Sequence, residues 1–184
     1  RDRRWPSGGE ARGKLPYAGD MPLRFVIIGG GPAGNTAATT AARLGAEVTM
    51  IERDIVGGAA HLLDCIPSKA MIATAGAMGD VDASAGMGLS VSEAQLDLEG
   101  VRNRIKSIEA RLEHNIVELL RSQGVQMLQG RDRLTGPNEL VVDGPEGARK
   151  IEADAILLST GSRPRIPDWA AIDGDRILTT RDAY

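Results

Sequence analysis

Cys65 is the only cysteine in the chain; it stands in the run GGAAHLLDCIPSK, residues 57–69, with His61 four positions before it and Lys69 four after. A thiol in its thiolate form can attack or exchange, a lysine can hold charge beside a reacting ring, and a histidine can exchange protons near neutral pH. Taken alone, none of the three compels chemistry. A single cysteine is as readily a small buried apolar side chain, Lys69 a solvated helix lysine, and His61 has no partner in view to orient it. His114 falls off the apolar stripe of a helix and reads as exposed and without a role.

The stronger constellation lies upstream. Residues 23–28 form a nearly continuous apolar run, which predicts a strand buried on both faces of a parallel sheet. Gly29, Gly31 and Gly34 follow in the pattern G-x-G-x-x-G. Ala37, Ala38, Ala41, Ala42 and Leu44 then recur at helical spacing, with side chains small enough to pack closely on a sheet. Gly45 stops that helix, and EVTMIE gives a second strand ending at Glu52. In such a β-α-β unit the first glycine permits the tight turn, the second lets a pyrophosphate approach the backbone, and the third lets helix and strand close up. The helix N-terminus offers unpaired N–H groups to the phosphates. Glu52, which alone could be a solvated strand-end acid, stands eighteen positions after Gly34, where a carboxylate can accept hydrogen bonds from both ribose hydroxyls and repel a 2′-phosphate. The unit predicts binding of an adenine dinucleotide and does not separate FAD from NAD.

A second helix is predicted over 64–78 with Pro67 in its first turn, followed by a loop over 79–95. Val101, Ile105, Ile108, Leu112, Ile116, Leu119 and Leu120 are spaced by threes and fours, which marks a long amphipathic helix over 98–123 closed by Gly124. Short strands are expected at 125–128, 140–142 and 150–152, the last two joined by the hairpin-like DGPEGAR, and a buried strand over 155–159 runs into TGSRPRIP.

With 184 residues and 42% apolar composition, one domain is the default. The net charge of −3 with mixed signs leaves no broad basic surface for nucleic acid, and no apolar run nears the about 20 residues that cross a bilayer. One cysteine and two distant histidines make no metal cluster, and a single thiol without an apolar leader fits a reducing cytoplasm. Residues 1–20 combine Arg, Gly and Pro without periodicity, so a disordered extension is expected before Met21.

Three segments together resemble the FAD-dependent pyridine nucleotide-disulfide oxidoreductases, the family of dihydrolipoamide dehydrogenase and glutathione reductase. They are VIIGGGPAG (26–34), GGAAHLLDCIPSK (57–69) and ILLSTGSRPRIP (156–167), and their order and spacing match the N-terminal part of that family. The resemblance implies an α/β, Rossmann-like FAD-binding domain over 21–168, incomplete in this chain, with a parallel sheet, the long amphipathic helix and a small β-meander insertion. Residues 169–184 would connect it to an NAD(P)-binding domain that is not part of the chain, which is expected to be an N-terminal fragment. The resemblance puts the FAD pyrophosphate on Gly29, Gly31, Pro32, Ala33 and Gly34, the adenosine ribose at Glu52 with Arg53 beside it, and further cofactor contacts at Gly58, Ala59, Thr160 and Gly161. Lys69 would lie near the reactive nitrogen of the flavin. Serine stands at 159 where alanine is usual.

The resemblance breaks at the cysteines. The family uses two, five positions apart, and here the upstream position is Ala60, whose methyl group cannot form a mixed disulfide. Cys65 keeps the flavin-facing position, just before an expected helix N-terminus whose dipole would favour a thiolate. The pattern is also similar to a subgroup of actinobacterial NAD(P)H:quinone reductases. It implies electron flow from NADH or NADPH through FAD to a quinone-type acceptor, in a protein that as a full-length chain is a homodimer. The alternatives are a disulfide reductase of the dihydrolipoamide dehydrogenase kind, whose second thiol comes from elsewhere, and an inactive FAD-binding fragment.

Overall fold

The alternation of apolar side chains in the first strand assigns a partner to each of its faces, and the rest of the fold follows from those assignments. In the computed structural model, which describes residues 21–90, 94–180 and 182, strand β1 (Arg24–Ile28) is followed by helix α1 (Pro32–Arg43) and strand β2 (Glu47–Glu52). Residues 1–20, with their expected disorder, lie outside the described residues. Next come helices α2 (Ile66–Ser84) and α3 (Leu98–Ser122), strand β3 (Gln126–Gln129), strands β4 (Arg131–Gly136), β5 (Glu139–Gly144) and β6 (Gly147–Glu152), and strand β7 (Ala155–Leu158).

Four strands form a parallel sheet in the order β3-β2-β1-β7, with Val26 level with Thr49 on one side and Ile156 on the other. The other three form an antiparallel meander, β4-β5-β6, inserted between β3 and β7. Val26 and Ile28 turn to one face of the parallel sheet and pack with Ile51 against Leu140 and Val142 of the meander. Ile27 turns to the opposite face and packs with Val48 and Met50 against Ala38 of α1 and Leu120 of α3. The layers are therefore helices, parallel sheet and meander, and β1 is buried from both sides, as its continuous apolar run requires. Ile27, Leu120 and Leu140 have no exposed surface at all. Burying each such side chain stabilises the fold by about 1.5–3 kcal/mol.

Helix α3 starts where Asp97 caps it, its carboxylate accepting the Gly100 N–H at 2.9 Å. Ile105, Ile108, Leu112, Ile116 and Leu120 form its inner face, while Leu119, expected on the stripe, is half exposed. Two other expectations need correction. The second helix does not run over 64–78: a π-helical turn from Ala60 to Cys65 leads without a break into α2, which continues to Ser84 and ends in a 3₁₀ turn, Ala85–Met87. The predicted loop over 79–95 is thus helical in its first part, because its alanines and lone glycines do not outweigh continuation from an established helix; 91–93 lie outside the described residues. Proline accounts for the π turn. Pro67 has no N–H to give and its ring would crowd the carbonyl four residues back, and just before it the Ile66 N–H bonds to the His61 carbonyl, five residues back. Strand β4 was not expected at all, since Arg131 and Arg133 face solvent and only Asp132 and Gly136 are half buried, which hides the alternation of an edge strand. No helix among the described residues is long and apolar enough to cross a membrane.

Candidate functional site

The carboxyl ends of β1, β2 and β7 open onto a cleft of about 960 Å³, where open α/β sheets place their ligands. Its floor is the turn from β1 into α1. Gly29 has φ 104, and a β-carbon there would run into the Ser159 carbonyl, so only glycine allows the turn beside β7. The third glycine of the pattern, Gly34, is buried with its α-carbon against the Gly29 carbonyl and the Ser159 hydroxyl. It closes helix onto strand and does not line the cleft.

Gly31 differs from both. Its φ of −74° suits any residue, and a β-carbon would meet nothing closer than the Gly58 α-carbon at 3.8 Å. Neither strain nor crowding explains a glycine here; a methyl group would project into the cleft, into space a ligand can occupy. The N-terminus of α1 beside it carries no side-chain cap, so its free N–H groups face that space. This open cradle beside uncapped donors fits the pyrophosphate of a dinucleotide.

Glu52, half buried at the end of β2, faces the same floor. One oxygen accepts the Gly30 N–H at 2.7 Å; the other accepts the N–H groups of Arg53 and Asp54 at 2.9 and 2.8 Å. The carboxylate thus braces the glycine loop and the turn after β2, and keeps one acceptor site for a ribose hydroxyl. The far wall comes from residues 55–63. The Gly57 N–H bonds to the Gly30 carbonyl at 2.8 Å, and Gly58 lies so close to the loop that a β-carbon would stand 2.6 Å from the Gly31 α-carbon. Ala59, Ala60 and Leu63 continue this wall. On the β7 side, the Ser159 N–H bonds to the Ile28 carbonyl at 2.8 Å, and its hydroxyl donates to the Gly29 carbonyl at 2.8 Å. Serine in place of alanine therefore adds a tie between β7 and the glycine loop.

Of the residues singled out from the sequence, Gly29, Gly31, Pro32, Ala33, Glu52, Arg53, Gly58, Ala59, Thr160 and Gly161 all line the cleft. Cys65 and Lys69 are exposed and are not among its lining residues. The helix N-terminus expected beside Cys65 lies earlier, since helical backbone begins at Ala60, a full turn before the thiol. His61 is half buried and also outside the cleft wall, and His114 is exposed. Sequence reasoning missed Gly130, Asp132, Ser162 and Arg163. The first two arrive because the Gly130 N–H bonds to the Glu52 carbonyl at 3.0 Å, a long-range pairing with no local signal. Arg163 could have been found from its place just after Thr160 and Gly161.

Comparison with known proteins agrees with this geometry. Residues 23–184 match the family model described as pyridine nucleotide-disulphide oxidoreductase. A Mycobacterium tuberculosis protein named NAD(P)H dehydrogenase (quinone) is 38% identical over 176 residues, which is 89% of this chain and 36% of the relative. A dihydrolipoyl dehydrogenase of Zymomonas mobilis is 33% identical over 160 residues, 86% of this chain and 34% of the relative. The crystal structure of LpdA from Mycobacterium tuberculosis superimposes with a TM-score of 0.75 at 35% identity, covering 88% of this chain and 36% of LpdA. The chain thus spans about a third of the length of these relatives. With an open glycine cradle at the end of its parallel sheet and the family model matched over residues 23–184, the chain belongs to the pyridine nucleotide-disulphide oxidoreductases, a family whose cofactors are FAD and NAD(P)H.

Proposed function

We propose that the cleft holds FAD and that the chain is the FAD-binding part of an oxidoreductase carrying electrons from NAD(P)H to a quinone-type acceptor without a dithiol relay. In this reading Gly29, Gly31, Pro32 and Ala33 form the pyrophosphate cradle, and Gly34 behind them lets the helix close onto the strand. Glu52 accepts a ribose hydroxyl with Arg53 beside it, and Gly58, Ala59, Thr160 and Gly161 confine the rest of the cofactor. Bound FAD would take a hydride from the reduced nicotinamide and release two electrons to the acceptor. Cys65 and Lys69 are assigned to the flavin side by the sequence resemblance, although neither lines the cleft as it stands. A full-length homodimer would complete the site, and residues 169–184 would lead to the nicotinamide domain. The 184-residue chain alone would bind FAD weakly and turn nothing over.

The observation that carries the choice of acceptor is Ala60. It lines the cleft one π turn before Cys65, where a disulfide relay needs its second sulfur. A methyl group neither attacks a disulfide nor pairs with Cys65, so a two-electron acceptor must meet the cofactor directly. The name of the mycobacterial relative, NAD(P)H dehydrogenase (quinone), points the same way. The dihydrolipoyl dehydrogenase relatives support the second reading, in which a thiol from elsewhere replaces the missing one.

The test is anaerobic reoxidation of the reduced, FAD-loaded full-length protein with a quinone and with lipoamide in parallel. Reoxidation by the quinone alone is expected; equal reoxidation by lipoamide would sink the proposal. The variant Ala60→Cys sharpens it. The π register sets positions 60 and 65 one turn apart, so the variant is expected to lose its titratable thiols on mild oxidation and to gain lipoamide turnover. Disulfide turnover that is already present and unchanged by the substitution would favour the second reading.

A further inference from the structure

Charge is distributed unevenly around the cleft. Glu52, Asp54 and Asp132 line the end where β2 runs out beside the start of β4. Two arginines also line it, Arg53 and Arg163. Arg53 is engaged, its Nε donating to an Asp54 carboxylate oxygen at 3.1 Å. Arg163 makes no hydrogen bond or ion pair with any described residue. It stands two residues after Gly161, whose φ of 71° redirects the chain leaving β7, and that chain is held against the glycine loop by the Ser159 hydroxyl. Arg163 therefore lines the cleft from the chain leaving β7, which lies across β1 from β2, the strand that ends at Glu52.

The glycine loop by itself leaves a charge deficit. A helix N-terminus contributes about half an elementary charge, and here Pro32 at the first helical turn has no N–H to add. A pyrophosphate carries two negative charges, and its neighbours Glu52 and Asp54 repel it. We propose that Arg163 is a further cofactor-binding residue, its guanidinium donating to the phosphate oxygens of the bound dinucleotide from the β7 side. The planar fork of arginine suits a pair of phosphate oxygens. The proposal rests on the reading that this cleft holds FAD.

The test is calorimetric titration of the full-length apoprotein with FAD, ADP, adenosine and riboflavin, at low and raised salt. The variants are Arg163→Gln, Arg163→Lys and, as a control two residues away and outside the cleft wall, Arg165→Gln. Arg163→Gln is expected to weaken FAD and ADP by about tenfold at low salt. Adenosine and riboflavin should bind as before, Arg163→Lys should recover most of the loss, and the salt dependence of FAD binding should flatten in Arg163→Gln. Unchanged FAD and ADP affinities in Arg163→Gln would overturn the proposal and leave the FAD reading intact. Equal losses for ADP and adenosine would also overturn it, since they would mark a deformed cleft and not a lost phosphate contact. Failure of the unsubstituted full-length protein to bind FAD or ADP at all would overturn the FAD reading, and the proposal with it.

Discussion

Gly31 and Glu52 show how the cleft divides its residues between folding and binding. Gly31 has an ordinary backbone conformation and free space where a β-carbon would go, so the fold makes no demand for glycine there. Gly31→Ala is therefore expected to melt within a degree or two of the native chain while FAD affinity falls by about tenfold or more, because the methyl group takes the space of a phosphate. Paired thermal melts and FAD titrations decide it; a large fall in melting temperature would mean that the glycine serves the turn. Glu52 does both jobs, since its oxygens already take three backbone N–H groups before any ribose arrives. An amide at this position would keep one acceptor and turn an NH₂ group toward backbone donors, which separates it from a conservative change.

Among the elements, the crossover from the meander back into the parallel sheet carries an ionic clamp. The Arg24 guanidinium donates to an Asp154 oxygen at 2.9 Å, the Arg24 N–H bonds to the other at 2.9 Å, and the Asp154 N–H returns to the Arg24 carbonyl at 2.9 Å. Glu152 adds a contact to the same guanidinium at 3.3 Å. The hydrogen bonds from the Arg24 side chain, then from its N–H, hold the Asp154 carboxyl below its ordinary value of 3.8. A pKa depressed by folding means that the unfolded chain takes up the proton first. The clamp's contribution is complete above the ordinary value and lost as pH falls through the folded one. The native chain is expected to lose melting temperature below about pH 4 more steeply than Asp154→Asn, which should already melt lower at pH 7. Parallel acid limbs in melts from pH 7 to pH 2.5 would show that the clamp plays no part. Asp97 performs a simpler task at the start of α3, and replacing such a cap costs about 1 kcal/mol.

At the scale of the molecule, much apolar surface remains open. Trp169 is 86% exposed, Ile72 on α2 69% and Leu158 at the end of β7 61%, and β7 is an edge of the parallel sheet. An apolar edge strand and a helix with few buried positions are surfaces that other polypeptide covers in a stable protein. The chain also carries a single G-x-G-x-x-G and covers 36% of its mycobacterial relative. NADH and NADPH are therefore expected to leave FAD bound to this chain oxidised over minutes, while the full-length protein reduces it. Anaerobic absorbance of the bound flavin reads the difference, and rapid bleaching by the isolated chain would refute the division of labour.

The β-α-β unit, the glycine loop and Glu52 are legible in the sequence because they are local: a run of apolar residues, a fixed glycine spacing and a strand-end acid declare themselves within about thirty residues. The three short motifs carried the family in the same way, and the meander was legible from two of its three strands. Tertiary structure decided the rest. It brought Gly130 and Asp132 to the cleft through a backbone bond to Glu52, and swung Arg163 in behind the turn at Gly161. It also began helical backbone at Ala60, and it leaves Cys65 and Lys69 outside the cleft lining. Strand β4 was illegible because both its arginines face water. Periodicity reports which side of an element is buried; which elements meet at a cleft depends on the pairing of strands far apart in the chain, and nothing in a local window carries that.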